Sequence, residues 1–185
     1  MDVGESNYHR YLGGDDEGLT LIIKEYKDGL ILYINSYVNN VIIAEELMEE
    51  TFFKIAVKRP KFLGKCSFKT WLYAIARNVT MDHFRKSAKY SGIPLENLEN
   101  RLCDAADTKN EYISIERKLA LHKALTELKP EYSQILWLIY FEGFSNEEAA
   151  LIMKKSKRQI ENLVSRARRS LKIKLEKEGF EHEKL

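Results

Sequence analysis

The chain has 185 residues, 44% of them hydrophobic and 31% charged, with a formal net charge of +2, three prolines, nine glycines, two cysteines and four histidines. This is enough apolar content to build one ordinary domain or two small ones, and it excludes a disordered chain. The longest apolar run is the seven residues from Ile135 to Phe141, well short of the roughly 20 that a membrane-spanning helix needs. The start, Met1-Asp2-Val3-Gly4-Glu5, lacks the basic residues and apolar stretch of a signal peptide, so a soluble, cytoplasmic protein without membrane insertion is expected. Cys66 and Cys103 lie outside any CxxC pattern and are expected to be free thiols.

No segment shows the strict alternation of a half-buried strand, so the sequence predicts an all-α chain. Asp15 and Asp16 can cap a helix carrying Leu19, Ile22, Ile23 and Tyr26, and after Asp28 and Gly29 a second helix carries Leu30, Ile31, Ile34 and Tyr37. A third spans Val41 to Lys58 and ends before Pro60, with Ile43, Leu47 and Thr51 on one face and glutamates on another. Phe62 to Cys66 form a loop. Ser67 then caps a helix of about 20 residues whose buried stripe is Phe68, Trp71, Leu72, Ile75, Ala76 and Val79. From Ser91 to about Asn110 apolar periodicity disappears, which predicts a flexible linker. A helix near Ile113 follows, carrying Leu119, Leu121, Leu125 and Leu128. Pro130 opens another, which contains the apolar run and stops at Gly143; its proline start and its length favour a buried helix over a buried strand.

Two capping boxes come next: Ser145 with Glu148, and Ser156 with Gln159 eleven positions later. Two helix starts so close together define a helix-turn-helix, with Lys154 and Lys155 in the turn. The second helix buries Ile160, Leu163, Val164, Ala167 and Leu171 and turns basic side chains outward. Such a helix enters the DNA major groove N-terminus first, so Lys157, Arg158, Glu161 and Asn162 stand where base edges are read. Arg166, Arg168, Arg169 and Lys172 stand where phosphates are met.

The near-zero net charge hides a segregation. Nine basic residues lie between Lys58 and Lys89 against Asp82 alone, and nine more between Lys154 and Lys174 against Glu161 alone. Glutamates gather instead at Glu45, Glu46, Glu49 and Glu50. Two basic blocks on a balanced chain suggest a polyanion held at two places, although solvated helix faces would give the same pattern.

The C-terminal half resembles the fourth domain of bacterial RNA polymerase sigma factors, through Leu125-x-x-Leu128, Gly143-Phe144-Ser145-x-x-Glu148-Ala149-Ala150 and Ile160-x-x-x-Val164-x-Arg166-Ala167-Arg168-x-x-Leu171. The N-terminal half resembles their second domain, through Ala44-Glu45-Glu46-Leu47-Met48-Glu49-Glu50-Thr51-Phe52 and Phe68-x-x-Trp71-Leu72-x-x-Ile75-Ala76-Arg77-Asn78-x-x-x-Asp82-x-x-Arg85. Two such domains with only a linker between them look like the extracytoplasmic-function (ECF) group of the sigma-70 family. The resemblance implies two small helical domains, a helical bundle at 15–90 and a helix-turn-helix domain at 113–176, joined by a linker at 91–112.

It further implies core RNA polymerase as a partner, docked through its largest-subunit clamp helices on Glu45, Glu46, Leu47, Glu49, Glu50 and Phe53. Promoter DNA would be held twice. Phe62, Lys65, Ser67, Arg77, Asn78, Arg85 and Lys86 match the positions that capture the melted minus-ten element. Ser156, Lys157, Arg158, Gln159, Glu161, Asn162, Arg166, Arg168 and Arg169 match those that meet the minus-thirty-five duplex. A dedicated anti-sigma factor is implied as well. Trp71 has the spacing of core and is read as core ahead of a stacking platform. The turn Met153-Lys154-Lys155-Ser156 departs from relatives, which often have a glycine there.

Two rival functions have different signatures. A helix-turn-helix regulator that is not a polymerase subunit would leave the first basic block and the acidic helix unexplained. An enzyme would need a site. His9, His83, His122 and His182 are scattered, and no HExxH motif, glycine-rich phosphate loop or metal-ligand spacing occurs, so no catalytic residue, metal or cofactor is expected.

Overall fold

A computed structural model describes residues 2–91 and 124–177. Among these residues it contains no strand, a helical stretch at 124–126 and seven α-helices described from end to end: α1 (Val3–Leu12), α2 (Glu17–Val38), α3 (Val41–Lys58), α4 (Phe68–Ser91), α5 (Pro130–Leu136), α6 (Asn146–Met153) and α7 (Lys157–Lys177). The predicted linker, most of the helix near Ile113, and Cys103 lie outside the described residues; Leu125 and Leu128 are within them and are buried. No described helix is long and apolar enough to cross a membrane.

Helix α3 matches its sequence prediction because both its ends are chemically marked. Asn40 accepts hydrogen bonds from the N–H groups of Ile42 and Ile43, and Arg59 closes the other end in a left-handed conformation just before Pro60. Ser67 caps α4 as expected, accepting from the Thr70 N–H at 3.2 Å.

Two helices differ from expectation. Helix α1 is not foreseen by apolar periodicity, since its buried residues are Gly4, Tyr8 and Tyr11. It is held by polar tips on large rings. The Tyr8 hydroxyl donates to the Pro60 carbonyl at 2.7 Å, the Tyr11 hydroxyl donates to that of Ala56 at 2.8 Å, and Asp2 accepts from the N–H of Glu5 and, with its other oxygen, from that of Phe68. Burial pushes the Tyr8 hydroxyl up to about 12.

The second difference is that Asp28 and Gly29 do not break the chain: α2 is one helix of 22 residues. Gly29 is there for contact. A Cβ on it would stand 2.5 Å from the Tyr73 hydroxyl oxygen and 3.1 Å from the Glu142 carboxylate. Gly18 plays the same part in the first turn of α2, where a Cβ would meet the Asn7 carbonyl oxygen at 2.3 Å and the Tyr11 nitrogen at 2.8 Å.

The buried stripe of α4 is also wider than spacing alone implies, because α4 is covered on more than one side. Phe68, Leu72, Ala76 and Val79 are buried as predicted, and Thr70, Tyr73, Thr80 and Phe84 join them. Trp71 is half-buried among Tyr8, Phe62 and Phe68, with ring centroids 5.3 Å from each. It is a core ring, as its spacing indicates. Helices α1 to α3 cover one flank of α4 and α6 covers another, while α5 lies on α2, so both halves share one apolar cluster.

The apolar run from Ile135 is helical, as predicted, but it finishes in a π-helical turn, Trp137–Phe141. That extra residue per turn rotates the last side chains off the buried face. Ile135, Leu136, Trp137 and Leu138 are buried, whereas Tyr140 and Phe141 are about half exposed.

Because its neighbours at Gly18 are backbone atoms that cannot swing away, Gly18→Ala should destabilise the protein by about 1–3 kcal/mol, although alanine normally improves a helix interior. Denaturant unfolding measures this, and an increase in stability would refute the close α1–α2 approach.

Candidate nucleic-acid interface

The helix-turn-helix is fixed by its caps. Ser145 and Glu148 form a reciprocal capping box: the Glu148 N–H donates to Ser145 Oγ at 3.2 Å, and the Ser145 N–H donates to the Glu148 carboxylate at 3.0 Å. Ser156 and Gln159 repeat it, at 3.3 Å and 2.8 Å. Between them Lys154 adopts a left-handed conformation with φ 54°. Glycine takes this conformation without strain, whereas the lysine takes it at a steric cost.

Helix α7 buries Ile160, Leu163 and Ala167 and half-buries Val164 and Leu171. Ser156, Lys157, Arg158, Gln159, Glu161, Asn162, Arg166, Arg168 and Arg169 are all exposed. The structure therefore brings every expected minus-thirty-five residue to the outer side of one helix. Besides the capping pair Ser156 and Gln159, two of them have partners outside the helix: Lys157 pairs with Glu147, and Arg168 donates to the Tyr140 hydroxyl while its guanidinium lies 5.2 Å from that ring's centroid. The hydrogen bond from Lys157, aided by its charge, holds the Glu147 carboxyl below its usual range.

The expected minus-ten residues are spread along the loop before α4 and along α4 itself. Lys65, Ser67, Arg85 and Lys86 are exposed, with Arg85 paired to Asp82 at 2.7 Å. Asn78 is half-buried. Phe62 is also half-buried, packed against Phe68 and Trp71, and Arg77 is half-buried beside Tyr37. These two are partly committed to the core.

On α3, Glu45, Glu46, Glu49 and Phe53 form an exposed face, with Phe53 65% exposed. Glu50 is half-buried and paired with Lys54 at 3.2 Å. Leu47 does not share this face: it is 3% exposed and belongs to the core. Its helical position, one turn from Ala44 and Thr51, turns it inward.

The sequence reading missed the contact between the two halves. Lys69 Nζ lies 2.9 Å from the Glu142 carboxylate and donates to the Glu142 carbonyl at 2.9 Å. The same ammonium sits 4.9 Å from the centroid of Phe144 and 5.6 Å from that of Tyr73, rings that themselves meet edge-on at 5.1 Å. Burial, reinforced by Glu142 beside it, pushes the Tyr73 hydroxyl far above the ordinary tyrosine range.

Next to this cluster, the hydroxyls of Thr70 and Ser67 donate to one Glu148 oxygen at 3.0 Å and 3.3 Å. Burial pulls the Glu148 carboxyl up, but hydrogen bonds from Ser145, Thr70 and Ser67 outweigh it and hold the group below its usual value. Further along, Gln134 donates to the Tyr33 hydroxyl at 2.9 Å. In sequence Glu148 reads only as the second member of a capping box, and nothing local signals that its free edge reaches α4.

The two halves of the chain match two family descriptions. Residues 22–90 match Sigma-70 region 2 and residues 118–171 match Sigma-70, region 4. The RNA polymerase sigma factor YlaC of Bacillus subtilis is 27% identical over 157 residues, 84% of this chain and 91% of the relative. The ECF RNA polymerase sigma factor SigW of the same organism is 25% identical over 170 residues, 88% of this chain and 91% of the relative. Among solved structures, the sigma factor RpoE in complex with the anti-sigma factor NepR, from Bartonella quintana, superposes with a TM-score of 0.69 and 27% identity over 85% of this chain and 96% of that one. The chain belongs to the sigma-70 family of bacterial RNA polymerase sigma factors. Within that family it is a member of the ECF group, a polymerase-associated subunit with regions 2 and 4.

Two outcomes check the local chemistry. Lys154→Gly should stabilise the protein by about 1 kcal/mol by relieving the left-handed lysine, as read by denaturant midpoint; a loss would contradict the assigned turn. Because the Glu148 carboxyl is held low when folded, its stabilisation is present above the unfolded value of about 4.3 and is lost as pH falls through the folded one. Thermal melts from pH 7 to pH 3 should therefore show a steeper acid loss in wild type than in Glu148→Gln, and parallel curves would contradict it.

Proposed function

We propose that the chain binds core RNA polymerase and directs promoter-specific initiation, acting in the cytoplasm as a non-catalytic subunit. Residues 15–90 would engage the polymerase and the melted minus-ten element, residues 113–176 the minus-thirty-five duplex, with 91–112 as the tether. The observation that carries this reading is the presence on one chain of two outward surfaces of opposite charge: the basic face of α7 and the acidic face of α3. A helix-turn-helix regulator acting alone has no use for the second.

The roles follow from chemistry. On α7, Arg158 and Asn162 have the donor geometry for guanine and adenine edges, and Glu161 can accept from cytosine. Arg166, Arg168 and Arg169 set register on phosphates. On α3, Glu45, Glu46 and Glu49 offer carboxylates around the apolar Phe53, which suits a polymerase surface presenting cations around an apolar patch. Phe62, Lys65, Ser67, Arg77, Asn78, Arg85 and Lys86 serve the separated strand, whose flipped base must regain a few kcal/mol from stacking and edge hydrogen bonds. An anti-sigma factor is the expected regulator, since the similar RpoE is solved with one.

Run-off transcription with purified core on genomic fragments is the direct test: discrete start sites are expected with the protein and none without it. Replacing Arg158 or Asn162 by alanine should cost about 1–3 kcal/mol and relax preference at one base position; uniform weakening across promoter variants would refute base reading. The double change Glu46→Lys and Glu49→Lys should abolish co-purification with core while circular dichroism stays helical. Undiminished co-purification would overturn the polymerase-binding face.

A further inference from the structure

Tyr140 lies near the end of the apolar run, where the sequence reads only as the close of a buried helix. The π-helical turn Trp137–Phe141 brings it outward, and Phe141 stacks flat on Trp137, with ring centroids 4.3 Å apart and planes at 7°, which holds that turn. Tyr140 is 50% exposed. An aromatic ring with a hydroxyl is thereby set beside the back half of α7.

Three arginines on that part of α7 are taken to meet phosphates, and one differs from the others. Among the described residues, Arg166 and Arg169 have no side-chain hydrogen bond or ion pair, whereas the Arg168 guanidinium lies over the Tyr140 ring, 5.2 Å from its centroid, and its Nε–H donates to the Tyr140 hydroxyl. No carboxylate pairs with Arg168 among the described residues, so its direction is fixed while its charge stays uncompensated. A guanidinium carries five N–H donors in a rigid fork. The phenol takes the one on Nε and leaves the four on the terminal nitrogens, the edge that meets a phosphate with two parallel bonds. Arg168 stands eleven residues behind Lys157, about 16 Å along the axis. A helix that enters the groove N-terminus first has risen to the DNA backbone by that point.

We propose that Tyr140 is a positioning residue for duplex DNA: it fixes Arg168 in advance, so that the terminal edge of the guanidinium meets a backbone phosphate beside the minus-thirty-five element. A free arginine on a helix surface gives up rotamer freedom when it binds, and one already tethered gives up less. The inference rests on the phosphate reading of Arg168 and adds to it the residue that acts through it.

The test uses holoenzyme assembled from the full-length chain and core RNA polymerase. Its probe is a fluorescein-labelled duplex of a promoter found by run-off transcription, titrated between about 50 and 200 mM salt. Arg168→Ala should weaken binding about ten-fold and lower the slope of log affinity against log salt by about 0.9, the value of one phosphate. Tyr140→Phe keeps the ring and removes only the acceptor. It should weaken binding about three- to ten-fold, the range of one hydrogen bond, and equally on promoters altered at single minus-thirty-five bases, since a phosphate carries no sequence information. In the Arg168→Ala chain, Tyr140→Phe should change affinity by less than about two-fold. Thermal midpoints of the free chains should be unchanged by Tyr140→Phe.

A loss below about two-fold from Tyr140→Phe, a tighter complex, a loss that survives Arg168→Ala, or one accompanied by a lower thermal midpoint would each overturn the proposal. The underlying readings fail separately. If no discrete start sites appear with core, the promoter-binding reading falls and takes this proposal with it. If they appear and Arg168→Ala is neutral, the phosphate assignment falls; if Arg168→Ala weakens binding and Tyr140→Phe does not, only the positioning role falls.

Discussion

Helix α4 is claimed from two sides, and the architecture follows from that. One flank carries Phe68 and Trp71, which close a ring cluster with Tyr8 and Phe62; another carries Lys69, Thr70 and Tyr73, which take up Glu142, Phe144 and Glu148 from the second half. The first set is predominantly apolar and locks α1, the loop before α4 and α4 into one body. The second is charge and hydrogen bonding around a single ring pair. Burial of large rings is worth more than a few polar contacts. The helix-turn-helix half thus meets the N-terminal bundle through this polar contact on α4 and through the apolar packing of α5 on α2.

That difference matters for a protein that must hold two parts of one promoter. A duplex element and a melted element lie apart along DNA, so a single rigid chain would have to span them at a fixed distance. Two modules with a separable contact can be carried at that distance by a larger partner. Helix α7 fits this scheme, because the side proposed to read bases faces solvent even while the halves are docked. The contact with α4 is made instead by the end of the π-helical turn and the start of α6.

Much of this was legible in the sequence because the signals are local. Capping boxes at Ser145 and Ser156, proline at position 130 and the inward spacing of Ile160, Leu163 and Ala167 each dictate a helix boundary or face without help from distant residues. What escaped was set by tertiary partners. Helix α1 hides because its anchors are tyrosines whose hydroxyls find carbonyls some 45 and 52 positions away. Gly29 reads as a break, yet it is the gap into which Tyr73 fits. Leu47 is core, as its spacing with Ile43 and Thr51 indicates, and only the resemblance had set it among the contact residues. Glu148 serves its own helix start and a foreign helix with the two oxygens of one carboxylate, and spacing can reveal only the first. For the site, the exposed face of α7 followed from periodicity, whereas Phe62 and Arg77 were placed by the rings packed around them.

The most direct measurement of the central claim is the distance between the two modules before and after polymerase binding. Fluorophores at Lys89→Cys and Ser165→Cys, with Cys66 and Cys103 replaced by serine, place one dye on α4 and one on α7. High energy transfer is expected for the free chain, falling to a low value when core RNA polymerase saturates it. Transfer that stays high with core demonstrably bound would mean that the halves work as one rigid body, and the account of two modules on separate promoter elements would be wrong.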